Sequence, residues 1–76
     1  MRTIYFTRKN PSSHYAIVTA VKPLGFDGAF PSYPDGTDIV EVEIGAVESV
    51  IGRALPFGDI VEGECSDEQF EEMFNN

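Results

Sequence analysis

From Asp59 to Asn76 the chain carries seven carboxylates (Asp59, Glu62, Glu64, Asp67, Glu68, Glu71 and Glu72) and neither lysine nor arginine. A run this charged stays solvated unless it has enough apolar surface to offset the entropy of ordering it. This one keeps Ile60, Val61, Phe70, Met73 and Phe74. Any fold must bury those groups while holding the carboxylates in water, which demands elements with two different sides. Ser66 with Gln69 three residues on is the signature of a capping box, and Asp67 and Glu68 fall in the first turn, where the helix dipole favours negative charge. With side chains about 100° apart, Phe70, Met73 and Phe74 share a sector about 100° wide, and Asp67, Glu68, Glu71 and Glu72 fill a separate one of about 140°. The spacing predicts a last helix of about 9–10 residues that docks by one side and presents carboxylates on the other. A helix that short is marginal alone and must be held by burial of its phenylalanines.

The rest of the chain is charged unevenly. Residues 1–26 carry Arg2, Arg8, Lys9 and Lys22 with no acid, a net +4, whereas residues 27–76 carry all thirteen acids against Arg53 alone, a net −12. Crowding of one sign strains a compact state, steers a protein toward basic surfaces and turns it away from nucleic acid and anionic membrane. An acidic balance also serves simply to keep a small domain soluble. The 76 residues make a single domain, residues 1–76, with one modest core. Their aromatic and aliphatic content is that of a folded protein rather than a disordered one.

The order of elements follows from local patterns. Residues 2–7 alternate as a strand, with Ile4 and Phe6 on one side and Thr3, Tyr5 and Thr7 on the other; the turn formers from Arg8 to Ser13 then link it to a second strand over His14–Lys22. Neither side of that second strand is strongly polar, as expected of a central strand covered on both faces. Pro23 to Thr37 is broken by three prolines and three glycines and reads as a loop whose Leu24, Phe26, Phe30 and Tyr33 fold back as a lid on the core. Asp38–Ile44 alternates cleanly, with Val40, Val42 and Ile44 inward and Glu41 and Glu43 forming a short outward row. Ala46–Leu55 places Val47, Val50, Ile51, Ala54 and Leu55 on a helical stripe, with Gly52 inside the helix and off the stripe. Asp59–Glu64 reads as an edge strand. The predicted class is α+β: a small antiparallel sheet of three to four strands with two short helices, in the order β-β-β-α-β-α.

Chemistry-bearing constellations are scarce. The single Cys65 and single His14 lie far apart in the chain without a catalytic signature, and the acids beside Cys65 oppose thiolate formation. Asp35-Gly36-Thr37-Asp38 lacks the preceding ligands of a calcium loop, and Cys and His are too few for zinc. No glycine-rich phosphate loop occurs. The expectation is a protein that is not an enzyme, with no catalytic residues, cofactor or metal. One cysteine allows no internal disulfide, so the reducing cytoplasm is the default compartment. Met1 to Thr7 is too short an apolar run for a signal peptide, and no segment is long enough to span a bilayer.

What remains is the carboxylate array, with Glu41, Glu43, Asp67, Glu68, Glu71 and Glu72 as the candidate partner-binding residues. Proteins that bind DNA do so largely through lysine and arginine contacts to phosphates, so a folded acidic surface can occupy such a site in place of nucleic acid. In length, charge and architecture the chain resembles the small acidic phage-encoded anti-CRISPR proteins. The resemblance implies a non-enzymatic inhibitor acting as a DNA mimic on a basic surface of a CRISPR-Cas effector subunit, without binding nucleic acid or membrane itself. The basic group Arg2, Arg8, Lys9 and Lys22 departs from a wholly acidic mimic. The other reading is an interaction module or antitoxin-like regulatory domain that meets its partner through Phe26, Phe30 and Tyr33.

Overall fold

The computed structural model describes residues 1–8, 10–28 and 30–75. Its elements, in chain order, are β1 (Arg2–Arg8), β2 (Tyr15–Thr19), β3 (Gly25–Asp27), β4 (Phe30–Ser32), β5 (Val40–Glu43), α1 (Ile44–Ile51), β6 (Val61–Cys65) and α2 (Asp67–Phe74). The four-stranded sheet runs β5-β2-β1-β6 and every neighbouring pair is antiparallel. The class and order agree with the sequence reading. The added feature is the small β3–β4 hairpin inside the segment read as a loop.

β1 is the interior strand on which register depends, pairing Phe6 with Val18 on one side and with Val61 on the other. Side chains alternate along each strand, so Ile4, Phe6, Ala16, Val18, Val42, Val61 and Cys65 share one face. That face is the core, closed by Val47 of α1 and by Leu55, with Ile51, Phe70, Met73 and Phe74 packed against it half-buried. The second face carries Thr3, Tyr5 and Thr7, then Tyr15, Ile17 and Thr19, with Glu41 and Glu43 on one edge strand and Glu62 and Glu64 on the other.

This second face is not left open at its centre. Thr7 and Thr19 are fully buried and Ile17 is only 9% exposed. The segment after Pro23 returns over it, and the Tyr33 hydroxyl meets Thr7 Oγ1 at 2.6 Å. The Thr19 hydroxyl donates to the Val21 carbonyl at 2.8 Å, so both buried threonines are satisfied. Of the expected lid residues Tyr33 reaches the sheet and Phe26 is half-buried, but Leu24 and Phe30 stand exposed at the hairpin. β2 is covered on both faces at Ile17 and Thr19 and open at Tyr15.

Helix α1 departs from its predicted span. It starts at Ile44, directly after β5, and ends at Ile51, because Gly52 adopts a left-handed conformation (φ 74°) and its N–H closes on the Glu48 carbonyl at 2.9 Å. Gly52 is a terminator rather than an interior residue, as glycine at this position of a helix end commonly is. The chain then turns so that Leu55 still reaches the core, its N–H bonded to a Glu48 carboxylate oxygen at 3.3 Å. Val50, assigned to the buried stripe, is partly exposed instead.

Among the described residues, Gly63 is the one glycine at which an added Cβ would meet a neighbour within 4 Å. A Cβ there would lie 2.8 Å from the Phe6 ring and 3.4 Å from Ile51 Cγ2. Glycine in the middle of a strand is costly for entropy but leaves the space that the Phe6 ring fills. Gly63→Ala is expected to destabilise the protein by about 1–3 kcal/mol through overpacking. Urea denaturation measures this; an unchanged midpoint would show that Phe6 does not depend on the missing methyl.

Candidate functional site

The acidic helix forms as its sequence indicates. The Gln69 N–H donates to Ser66 Oγ at 3.1 Å and the Ser66 N–H donates to Gln69 Oε1 at 3.0 Å, completing the capping box. Phe70 and Phe74 stack with their ring centroids 4.4 Å apart, and the Arg2 guanidinium lies over Phe70 at 3.9 Å. These contacts hold α2 with its aromatic side on the sheet, although no residue of the helix is fully buried. Asp67, Glu68, Glu71 and Glu72 are all exposed. Asp67 and Glu68 sit where the dipole welcomes them, but Glu71 and Glu72 stand in the last turn, which holds no basic residue. Negative charge there is unfavourable by about 0.3–1 kcal/mol per group.

Two of the N-terminal basic residues are engaged with the fold: Arg2, although exposed, and the half-buried Arg8. Arg2 covers Phe70, and Arg8 donates to the carbonyls of Leu55 and Ser13 at 3.3 and 3.1 Å, with its Nε buried and without a partner. Lys9 lies outside the described residues. Lys22 and Arg53 are exposed as well, so positive charge remains at the surface among the acids.

Glu41 and Glu43 are exposed on the second face at the β5 edge, opposite Ile17 and Tyr15. They stand about 6.6–6.8 Å apart along the strand. Around this edge is a shallow hollow of about 470 Å³ lined by Tyr15, Glu41, Glu43, Ala46, Glu72 and Met73 among others. Glu72 thus borders from the helix side the same hollow that the strand row borders from the second face. Asp67, Glu68 and Glu71 lie along the outer side of α2 and do not line this hollow. Glu72, Ala46, Val42 and Met73 also border a narrower slot of about 150 Å³ between α1 and α2, floored by Phe6, Val47 and Val50.

A second acidic row was missed by local reading. Glu62 and Glu64 pair with Tyr5 and Thr3, which puts them on the same face as Glu41 and Glu43 but on the opposite edge strand. Three strand spacings, about 14 Å, separate the two edges. The alternation of Glu62 and Glu64 with Val61 and Cys65 was visible in the sequence; the face they share was not.

The candidate nucleophile and base do not meet. Cys65 pairs with Arg2 at one end of β1, while His14 precedes β2 at the other end, its carbonyl accepting the Ile44 N–H. Among the described residues no group of three or more His, Cys, Asp or Glu is placed to hold a metal ion, and no helix is long and apolar enough to cross a membrane.

The chain matches no protein-family model, no curated protein and no solved structure.

Two neutral groups are held away from ionisation. Burial pushes the Cys65 thiol up; the Arg2 guanidinium offsets part of this, Asp67 adds to it and the N-terminal ammonium offsets a little. Burial, rather than the neighbouring acids, is thus the main cause. Burial likewise raises the Tyr33 phenol, against the opposing effect of its bond to Thr7. A raised folded value means that the unfolded chain loses the proton first as pH climbs, so the stability these groups contribute is complete below their unfolded values and drains away above about pH 8.5–10. The denaturation midpoint is expected to fall through that range, and to fall less in Tyr33→Phe and Cys65→Ala. An alkaline limb unchanged in both variants would contradict the assignment.

Proposed function

We propose that this protein is a non-enzymatic binder of a basic protein surface, which it engages with a folded acidic surface in the place that nucleic acid would take. The resemblance in size, charge and architecture to anti-CRISPR proteins makes a CRISPR-Cas effector subunit the proposed target class. The observation that carries this reading is that Glu41, Glu43 and Glu72, from a strand and a helix, all line one shallow hollow at the β5 edge. Carboxylates brought together on ordered elements repel one another, and Glu71 and Glu72 also oppose the dipole of their own helix. Acids kept where they weaken the fold are favoured by a partner that supplies the missing cations. Asp67, Glu68 and Glu71 extend the surface along α2.

A second reading rests on Leu24 and Phe30, which are 72% and 59% exposed in and beside the β3–β4 hairpin. There they form a contact surface for an interaction module. Tyr33 is less suited to that role than its sequence position suggested, since its hydroxyl is engaged with Thr7.

Binding to an isolated CRISPR-Cas effector complex, followed by calorimetry or anisotropy, is the test. Affinity should fall steeply as salt rises, and Glu41→Lys or Glu72→Lys should each weaken it by roughly tenfold or more, as reversed charge at an interface does. The same salt should raise the stability of the free protein by screening its self-repulsion. Glu71→Gln should stabilise the fold by about 0.3–1 kcal/mol while weakening the complex, which separates lost contacts from lost structure. Binding indifferent to salt and to these reversals, but abolished by Phe30→Ala, would overturn the acidic-surface reading in favour of the hairpin.

A further inference from the structure

We infer that the open edge of β5 accepts an extended basic–apolar–basic segment of a partner protein as an added strand. β5 is the outermost strand on its side of the sheet, with β2 as its neighbour. The Ile44 N–H donates to the His14 carbonyl at 2.9 Å, and the register continues as Val42 opposite Ala16 and Val40 opposite Val18. In an antiparallel ladder alternate residues bond across, so residues 40, 42 and 44 face β2 and residues 41 and 43 turn their backbone groups to the open side. Glu43 is the N-cap of α1, and its carbonyl is taken by the first helical bond. The edge therefore offers the N–H and C=O of Glu41 and the N–H of Glu43.

The side chains around this edge select what binds there. An added strand sends alternate residues to opposite faces. Those beside Glu41 and Glu43 meet two carboxylates and are best basic. The residue between them points to the helix face, where Val42, Ala46, Val50 and Met73 line the slot between α1 and α2, with Glu72 on its rim. The slot, at about 150 Å³, is of a size that takes a small apolar group. Main-chain bonds would supply affinity and the two kinds of side-chain site specificity, as in other strand additions. A second copy of this chain is disfavoured as the occupant, because β5 against β5 sets Glu41 and Glu43 of both chains side by side. The inference rests on the proposed acidic surface only for the sign of the partner's charge.

The probe is the peptide Thr-Lys-Val-Lys-Val-Lys-Thr, compared with an analogue methylated on alternate backbone nitrogens, which keeps the charge and loses the edge bonds. The peptide is expected to slow hydrogen exchange at the Glu41 and Glu43 amides, and the analogue to bind about tenfold more weakly. Ala46→Leu, which narrows the slot without replacing an acid, should weaken the peptide several-fold. Glu43 has φ −55°, within the range of proline, and its N–H is not used in the ladder. Glu43→Pro should thus fold, as circular dichroism will report, and bind the peptide about fivefold more weakly than Glu43→Ala, the effect of one missing hydrogen bond. If Glu43→Pro does not fold, the exchange and the methylated analogue decide alone. Equal affinity for both peptides, or protection elsewhere than β5, overturns strand addition while leaving the acidic-surface reading to its own salt and charge-reversal test. Protection of the same amides by self-association, without peptide, also overturns it by naming a second copy as the occupant.

Discussion

The acids of the four-stranded sheet owe their positions to the register of β1. That strand pairs on both sides, and Ile4 and Phe6 must face the helices for the core to close. A slip by one residue would send both into solvent and bring Thr3, Tyr5 and Thr7 inward, so the hydrophobic pattern specifies the pairing strongly. Once β1 is set, β2 and then β5 follow on one side and β6 on the other. Glu41, Glu43, Glu62 and Glu64 are thereby assigned to the second face without any interaction of their own. The space that Gly63 leaves for the Phe6 ring is part of the same constraint.

The two helices turn this frame into a surface. α1 leaves β5 without a connecting loop, which sets Ala46 beside the open edge, and α2 begins directly after β6 and brings Glu72 round to the same place. Two arginines brace the frame: Arg2 steadies Phe70 and Arg8 ties Ser13 to Leu55. The exterior carries the excess of acids behind the net charge of −8, and those acids repel one another. A small core has to tolerate that repulsion, and the protein's stability and its attraction to a basic surface should respond to salt with opposite signs.

Features carried by neighbouring residues were legible in the sequence. Ser66 and Gln69 define a cap that needs nothing from elsewhere, and the strict alternation of Val40, Glu41, Val42 and Glu43 gives both the strand and its two sides. Gly52 was misread because a glycine within a helical stripe and one that ends a helix look alike until its left-handed φ is known. The β3–β4 hairpin was hidden by Pro31, which speaks against a strand but is tolerated in a two-stranded ribbon. The pairing of Arg2 with Cys65, which places Glu62 and Glu64, joins opposite ends of the chain and leaves no local trace. The placing of Glu72 on the hollow that Glu41 and Glu43 line is likewise a product of packing.

Occupying the place of nucleic acid is the central claim, and displacement tests it most directly. With labelled duplex DNA bound to an isolated CRISPR-Cas effector complex, added protein should release the DNA in competition, so that raising the DNA concentration raises the amount of protein required in proportion. Glu41→Lys/Glu72→Lys should lose this ability while remaining folded. Binding to the effector with the DNA still fully bound, or release equally strong from the reversed variant, would contradict it.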